Sequence, residues 1–129
     1  MNVLDENITP IERQRLREWH IAIRHIGYDI GRKGMDDEAI IPFLVTLSHP
    51  TFFTEDWDYY KRRLCHAKYC LVLVNVRRDE IAVFARRFLR HHAFDTNAKR
   101  MGRVIRITRT DISVWQRHAG TEVHLSWSK

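Results

Sequence analysis

YCLVLVNV, residues 69–76, is the longest apolar run in this chain of 129 residues. A run of this length without polar alternation is typical of a strand that is covered on both faces. Such strands belong to parallel sheets, because crossover connections place helices over the sheet. The run therefore predicts the central strand of an α/β fold.

The segments around this run alternate between strand and helix patterns. Apolar or β-branched runs predict further strands at 2–4, 21–26, 50–54, 103–109 and 113–115. Helix-start patterns predict helices from Pro10 behind a Thr9 cap, from the acids at 36–38 with Pro42 in the first turn, at 58–64, and from 79 onward. A loop is expected at 94–102, and no element is predicted after Ala119. This order predicts a three-layer α/β/α sandwich with a mostly parallel central sheet.

Composition and charge indicate one compact domain with a polyanionic partner. Hydrophobic residues make up 44% of the chain, and the formal net charge is +6. RNA or DNA is the simplest partner for this charge, and an anionic membrane surface is the competing interpretation. The N-terminal residues lack a signal-peptide pattern, and no apolar run approaches the ~18 residues of a spanning helix. We therefore expect a cytoplasmic protein that does not enter a membrane.

Carboxylates follow two of the predicted strands at the point where each ends. Asp5 follows the first strand and Asp56 the third, while Asp36 or Asp37 opens a helix at what would be the same edge. Converging carboxylates repel one another unless a cation is bound, and oxygen ligands favour Mg²⁺ or Mn²⁺. Two such ions about 4 Å apart can support phosphodiester hydrolysis.

Each acid also has an ordinary structural interpretation. Asp36 or Asp37 is the residue type that caps a helix, and Asp58 would cap the next one. Asp5 can belong to a simple loop between a strand and a helix. Spacing alone therefore leaves metal binding and local structure as open alternatives.

Three short motifs occur in a fixed order: LDEN at 4–7, DEAI at 37–40 and TEDWDY at 54–59. This order resembles the compact PIN-like domains of bacterial toxin ribonucleases, which share a Leu-Asp-Glu-Asn element, an Asp-Glu-x-Ile helix start and a Thr-x-Asp-x-Asp-aromatic element. The resemblance covers roughly the first half of the chain. It implies a single PIN-like domain over 1–129, with motifs in 1–76 and a family-variable part at 77–129.

The resemblance implies roles for the acidic residues. The implied metal ligands, for Mg²⁺ or Mn²⁺, are Asp5, Asp37, Asp56 and the additional acid Asp58. Thr54 would orient Asp56 through its hydroxyl, and the attacking group would be a metal-activated water. The wider superfamily usually has a glutamate as its second acid, so Glu38 remains an alternative to Asp37.

The function implied is that of a metal-dependent endoribonuclease. The resemblance further implies the toxin of a toxin–antitoxin pair, whose antitoxin protein masks the site, and a homodimer. The alternative is a non-catalytic module that keeps the PIN-like fold and binds nucleic acid or protein through its positive surface.

Basic and aromatic side chains suggest how RNA would be held. Lys61, Arg62 and Arg63 follow the last acidic motif and would contact the phosphate backbone, or they form an ordinary solvated face. A longer RNA track would need further basic residues on the same surface: Arg86, Arg87, Arg90, Lys99, Arg100, Arg103 and Arg106. Trp57 and Tyr59 either stack on an unpaired base or belong to the core.

Overall fold

A computed structural model describes residues 1–128 as an α/β fold around one seven-stranded sheet. The strands are β1 (Asn2–Leu4), β2 (Arg24–His25), β3 (Thr51–Thr54), β4 (Cys70–Val74), β5 (Arg103–Ile107), β6 (Asp111–Gln116) and β7 (Val123–Ser126). Their order in the sheet is β2-β1-β3-β4-β5-β6-β7. The first five in this order are parallel, and β6 and β7 add an antiparallel extension.

The helices begin where side chains satisfy free backbone N–H groups. They are α1 (Pro10–Glu18), α2 (Asp37–Thr46), α3 (Ile81–Arg90) and α4 (Asn97–Arg100). Thr9 caps α1 and Asp36 caps α2, as their positions before the helical pattern predict. Within residues 1–128, none of these helices has the length and apolar character needed to span a membrane.

Alternate residues of the central strands enter two different hydrophobic clusters. In β4, Leu71 packs with the cluster that includes Leu44 of α2, while Val72 packs with the cluster that includes Leu16 of α1 and Phe88 of α3. All five residues of β4 are buried. The prediction that 69–76 forms a central strand covered on both faces is therefore confirmed, with the strand itself at Cys70–Val74.

Several local predictions were wrong. The helix expected at 58–64 is two separate 3₁₀ turns, Trp57–Tyr59 and Arg62–Leu64, because Lys61 between them is extended (φ −139°, ψ 133°). The loop expected at 94–102 contains α4, which Thr96 caps. Pro42 lies inside α2, beyond its first turn.

The second strand and the tail also differ from expectation. Only Arg24 and His25 pair with β1, because β1 itself is three residues long and Gly27 turns the chain at φ +85°. A side chain at Gly27 would meet Glu6 at 3.2 Å. After Ala119, where no element was predicted, β7 pairs with β6.

Candidate metal centre

The sheet has a topological switch point between β1 and β3. From β1 the chain moves to β2 on one side, and β3 then adds on the other side of β1. In open α/β sheets, ligands bind where the strand order reverses, beyond the carboxyl ends of the strands. Asp5 directly follows β1, and Asp56 stands two residues after β3. Both acids therefore lie at the edge where a ligand is expected.

Three carboxylates meet at this edge. One oxygen each from Asp37, Asp56 and Asp58 lies within 4.8 Å of the other two, and we call these residues the acidic trio. Asp37 is the first residue of α2. Oδ1 of Asp56 accepts a 2.9 Å hydrogen bond from the N–H of Asp58, which folds the two acids into one turn. The trio therefore joins the start of α2 to the turn after β3.

The acidic trio could hold a metal ion. Its donors are all carboxylate oxygens, which are the ligands that Mg²⁺ and Mn²⁺ prefer. Two ligands of one Mg²⁺ lie at most about 4.2 Å apart, since each stands about 2.1 Å from the ion. The three oxygens, which lie within 4.8 Å of one another, are therefore close to the spacing that one ion needs.

Asp5 lies beside the trio but does not join it. Its Oδ1 accepts from the N–H of Glu6 at 2.8 Å, and its Oδ2 accepts from the hydroxyl of Thr54 at 2.7 Å. The Thr54 hydroxyl also accepts the N–H of Asp56 at 3.0 Å. Thr54 thus orients the side chain of Asp5, and it contacts Asp56 through the backbone and not through the carboxylate.

The electrostatics of Asp5 reflect this environment. Burial raises the pKa of the Asp5 carboxyl, and the hydrogen bonds from Thr54 and Glu6 act against that increase. The negative charges of Asp56 and Asp37 raise the pKa of Asp5 further. The carboxylate of Asp5 is therefore repelled by those of Asp56 and Asp37, and a bound cation would reduce this repulsion.

Tyr59 holds the acid that stands first in α2. Its ring is buried and packs edge-on against Phe52, with centroids 5.3 Å apart, and its hydroxyl donates to Oδ1 of Asp37 at 2.9 Å. Burial raises the pKa of Tyr59, and the hydrogen bond to Asp37 and the nearby carboxylates, Asp5 included, raise it further. Tyr59 is therefore a fixed donor, and the interpretation that its ring stacks on a base was wrong.

The two alternatives for the second acid occupy different positions. Glu38 is exposed beside Asp37 and lines the same cleft, but the acidic trio contains Asp37 and not Glu38. Asp36 is engaged elsewhere, because its Oδ1 accepts the N–H of Ala39 at 2.9 Å as the cap of α2. Among these neighbouring acids, the geometry favours Asp37 as the ligand.

Basic side chains border the trio on one side. Lys61 and Arg63 line a cleft of about 490 Å³ together with Asp37 and Asp58. Arg62 instead faces an adjacent cleft that Tyr60 and Trp115 line. Two of the three predicted phosphate contacts therefore stand beside the trio.

On the other side of Asp56 lies Arg78, which was not among the predicted site residues. It lines a second cleft with Asp5 and Asp56, forms an ion pair with Glu55 at 3.4 Å, and donates to the carbonyl of Asn7 at 2.7 Å. Its position in the connection after β4, at the same edge as Asp5, is the sequence signal that could have identified it. The acids are thus flanked by positive charge on both sides.

The longer basic track does not exist as one surface. Arg100 is buried at the opposite edge of the sheet, where its Nε donates to Thr51 at 2.9 Å, and Arg103 begins β5 at that edge. Arg86 covers the ring of Trp19 at 3.8 Å, and Lys99 pairs with Asp95. Arg106 lies close to the acids, because its Cζ is 5.4 Å from the ring centroid of Trp57, which stands between Asp56 and Asp58 in the chain.

Comparisons of the chain with known protein families, with curated proteins and with solved structures found no significant match. The chemistry of the site is therefore inferred from its own residues.

Proposed function

We propose that the protein is a Mg²⁺- or Mn²⁺-dependent endoribonuclease with a PIN-like, three-layer α/β/α fold. The acidic trio, whose carboxylate oxygens lie within 4.8 Å of one another at the switch point of a parallel sheet, is the observation that carries the proposal. The positive charges of Lys61, Arg63 and Arg78 on either side suit a phosphodiester substrate.

In this proposal the acidic residues bind the metal and the basic residues bind the RNA. Asp37, Asp56 and Asp58 would bind the cation, which when bound supplies Lewis-acid activation of water and of the phosphate. Thr54 fixes Asp5 and Tyr59 fixes Asp37, so that the carboxylates are oriented before the substrate arrives. Lys61, Arg63 and Arg78 would contact phosphates on the two sides of the scissile bond.

Cleavage of a labelled single-stranded RNA tests the proposal. We expect activity with Mg²⁺ or Mn²⁺, none with EDTA, and losses of at least about 100-fold in Asp5→Asn and Asp56→Asn, because each substitution removes a charge from the site. Asp95→Asn is the matched control, since Asp95 is exposed and pairs with Lys99 away from the acids. Activity that survives both site substitutions would contradict the mechanism.

Calorimetric titration separates an enzyme from a binding module. The enzyme is expected to bind Mn²⁺ with an affinity that falls in Asp56→Asn and is unchanged in Asp95→Asn. RNA binding without any divalent cation binding at millimolar concentration would favour a non-catalytic PIN-like module instead.

The biological role that follows is that of a toxin whose antitoxin partner covers the acids, with a homodimer as the expected assembly. Its support is the ordered LDEN, DEAI and TEDWDY motifs together with the accessibility of Asp37 and Asp58. Growth arrest on expression that Asp5→Asn abolishes is the expected outcome. Unimpaired growth during expression of a protein that cleaves RNA in vitro would contradict the toxin role.

A further inference from the structure

Trp57 stands between two members of the acidic trio and is exposed. It begins the 3₁₀ turn that Asp56 caps, directly before Asp58, and 51% of its surface is accessible. The other three tryptophans, Trp19, Trp115 and Trp127, are half-buried or buried. An indole left in solvent beside the proposed metal ligands is therefore a local feature of this edge.

The guanidinium group of Arg106 lies against the indole of Trp57. Cζ of Arg106 lies 5.4 Å from the ring centroid of Trp57 and 5.5 Å from that of Tyr60. Nη2 of Arg106 donates to the hydroxyl of Ser113 at 3.0 Å, and Ser113 is fully buried in β6. The guanidinium is therefore held from the sheet, against the aromatic side chains.

Tyr60 completes the arrangement. Its ring meets Trp57 edge-on with centroids 6.4 Å apart, and its hydroxyl donates to Glu122, which directly precedes β7. The aromatic pair is thus tied to the antiparallel part of the sheet, at Arg106 and at Glu122. We call Trp57, Tyr60 and Arg106 the aromatic platform.

Positive charge continues from the aromatic platform. The adjoining cleft is lined by Tyr60 and Trp115 together with Lys61, Arg62 and Arg63, all three of which are exposed. Sequence-tolerant binding of single strands uses this combination, in which aromatic faces stack on bases and nearby cations contact the phosphates. A base inside a duplex offers no free face, so this arrangement favours an unpaired base.

We propose that the aromatic platform is a nucleobase site, in which one unpaired base of an RNA strand stacks on Trp57 while Lys61, Arg62 and Arg63 contact the adjoining phosphates. The site makes the protein selective for single-stranded RNA. This inference rests on the ribonuclease proposal, because the stacked base is taken to belong to the substrate strand. The base would lie next to the scissile phosphodiester bond at the acidic trio. It assigns a role to β5 and β6, which carry none of the three sequence motifs.

Binding experiments test this site without requiring cleavage. Tryptophan fluorescence is titrated with a short single-stranded oligoribonucleotide, and with the duplex of the same sequence, in EDTA and again with Ca²⁺ to offset the charge of the acids. We expect Trp57→Ala to weaken single-strand binding by about tenfold, Trp57→Phe to retain most of it, and duplex binding to change little in either variant. Fluorescence anisotropy of end-labelled RNA provides the same affinities for the variants that lack the indole.

A matched control exists for the cation. Arg106→Ala is expected to weaken single-strand binding. Arg86→Ala removes an arginine that lies over the ring of Trp19 instead, and it should leave single-strand binding unchanged. Circular dichroism of each variant establishes that the fold is retained, and Trp57→Phe serves where Trp57→Ala does not fold.

The outcomes distinguish this inference from the ribonuclease proposal. Trp57-dependent binding of single strands by a protein that cleaves no RNA would support the nucleobase site and contradict the enzyme. Cleavage with a KM for single-stranded RNA that is unchanged in Trp57→Ala would support the enzyme and overturn the nucleobase site. Equal affinity of the wild type for single strand and duplex would also overturn it, as would the absence of RNA binding.

Discussion

The hydroxyl of Thr54 donates a 2.7 Å hydrogen bond to Oδ2 of Asp5, and so joins the ends of two neighbouring parallel strands. The hydroxyl oxygen of Thr54 also accepts a 3.0 Å hydrogen bond from the N–H of Asp56. One fully buried side chain therefore fixes the position of Asp5 and the direction in which the chain leaves β3 toward the acidic trio.

Replacement of this hydroxyl is expected to lower activity while the fold is retained. Thr54→Val keeps the shape of the side chain but leaves Asp5 and the N–H of Asp56 without their partner. We expect kcat for RNA cleavage to fall by about 10- to 100-fold, as for other groups that orient the acids of a metal site through hydrogen bonds. Thr54→Ser restores the hydroxyl and should recover most of the activity. A Thr54→Val protein as active as wild type would show that the hydrogen bond does not position Asp5 for the reaction.

Tyr59 provides a second test of how the acids are held. Tyr59→Phe removes the 2.9 Å hydrogen bond to Asp37 and keeps the ring that packs on Phe52. Because orienting groups of this kind strengthen metal binding, Mn²⁺ affinity measured by calorimetry should fall by about tenfold. Tyr69→Phe is the control, since it removes a buried hydroxyl that donates to the backbone carbonyl of Leu64 and not to a carboxylate. Equal loss in both variants would indicate a general effect of the substitution.

The sequence could predict which acids reach the edge of the sheet, because that placement follows from local order. A residue that follows a parallel strand must lie at the carboxyl edge, and this is true of both Asp5 and Asp56. The sequence could not predict that Thr54 bonds to Asp5. The two residues are neighbours because β1 and β3 pair in the register that places Leu4 opposite Phe53. That register depends on the packing of the whole sheet.

Other misses have the same physical origin. Tyr59 looks like any aromatic residue of a core or a stacking surface until the fold brings its hydroxyl to Asp37, 22 residues away. The segment at 58–64 has helical composition, yet Tyr59 turns inward and the chain extends at Lys61. The strand β7 is mostly exposed and four residues long, so that the alternation of Val123 and Leu125 with polar residues is too short to indicate a strand from the sequence.

Glu12 connects two helices and should be important for stability. It is 1% exposed, and its Oε1 accepts the N–H of Ala82 at 2.9 Å in the first turn of α3. Glu12→Ala leaves that buried N–H without a partner, and we expect the free energy of unfolding to fall by about 2 kcal/mol. Urea denaturation measures this loss. Glu12→Gln, which keeps an acceptor, should cost less, and Glu18→Ala on the exposed side of α1 should change little. A loss in Glu18→Ala that matches Glu12→Ala would rule out the capping role.

The lowered pKa of Asp29 predicts that the free energy of unfolding depends on pH. Partial burial opposes its ionisation, but the N–H of His25 at 2.8 Å and the guanidinium of Arg17 at 2.9 Å outweigh this and lower the pKa of Asp29 below its usual 3.8. A carboxyl whose pKa is lower in the folded state stabilises the fold above the unfolded pKa, and this contribution is lost as pH falls through the folded one. Asp29→Asn should therefore unfold at a lower urea concentration at pH 7, with a loss in the free energy of unfolding below about 1 kcal/mol, because Asp29 is exposed and solvent screens its charge. The difference from wild type should shrink as pH is lowered toward about 3. A difference that is constant over this range would show that the charge of Asp29 makes no contribution.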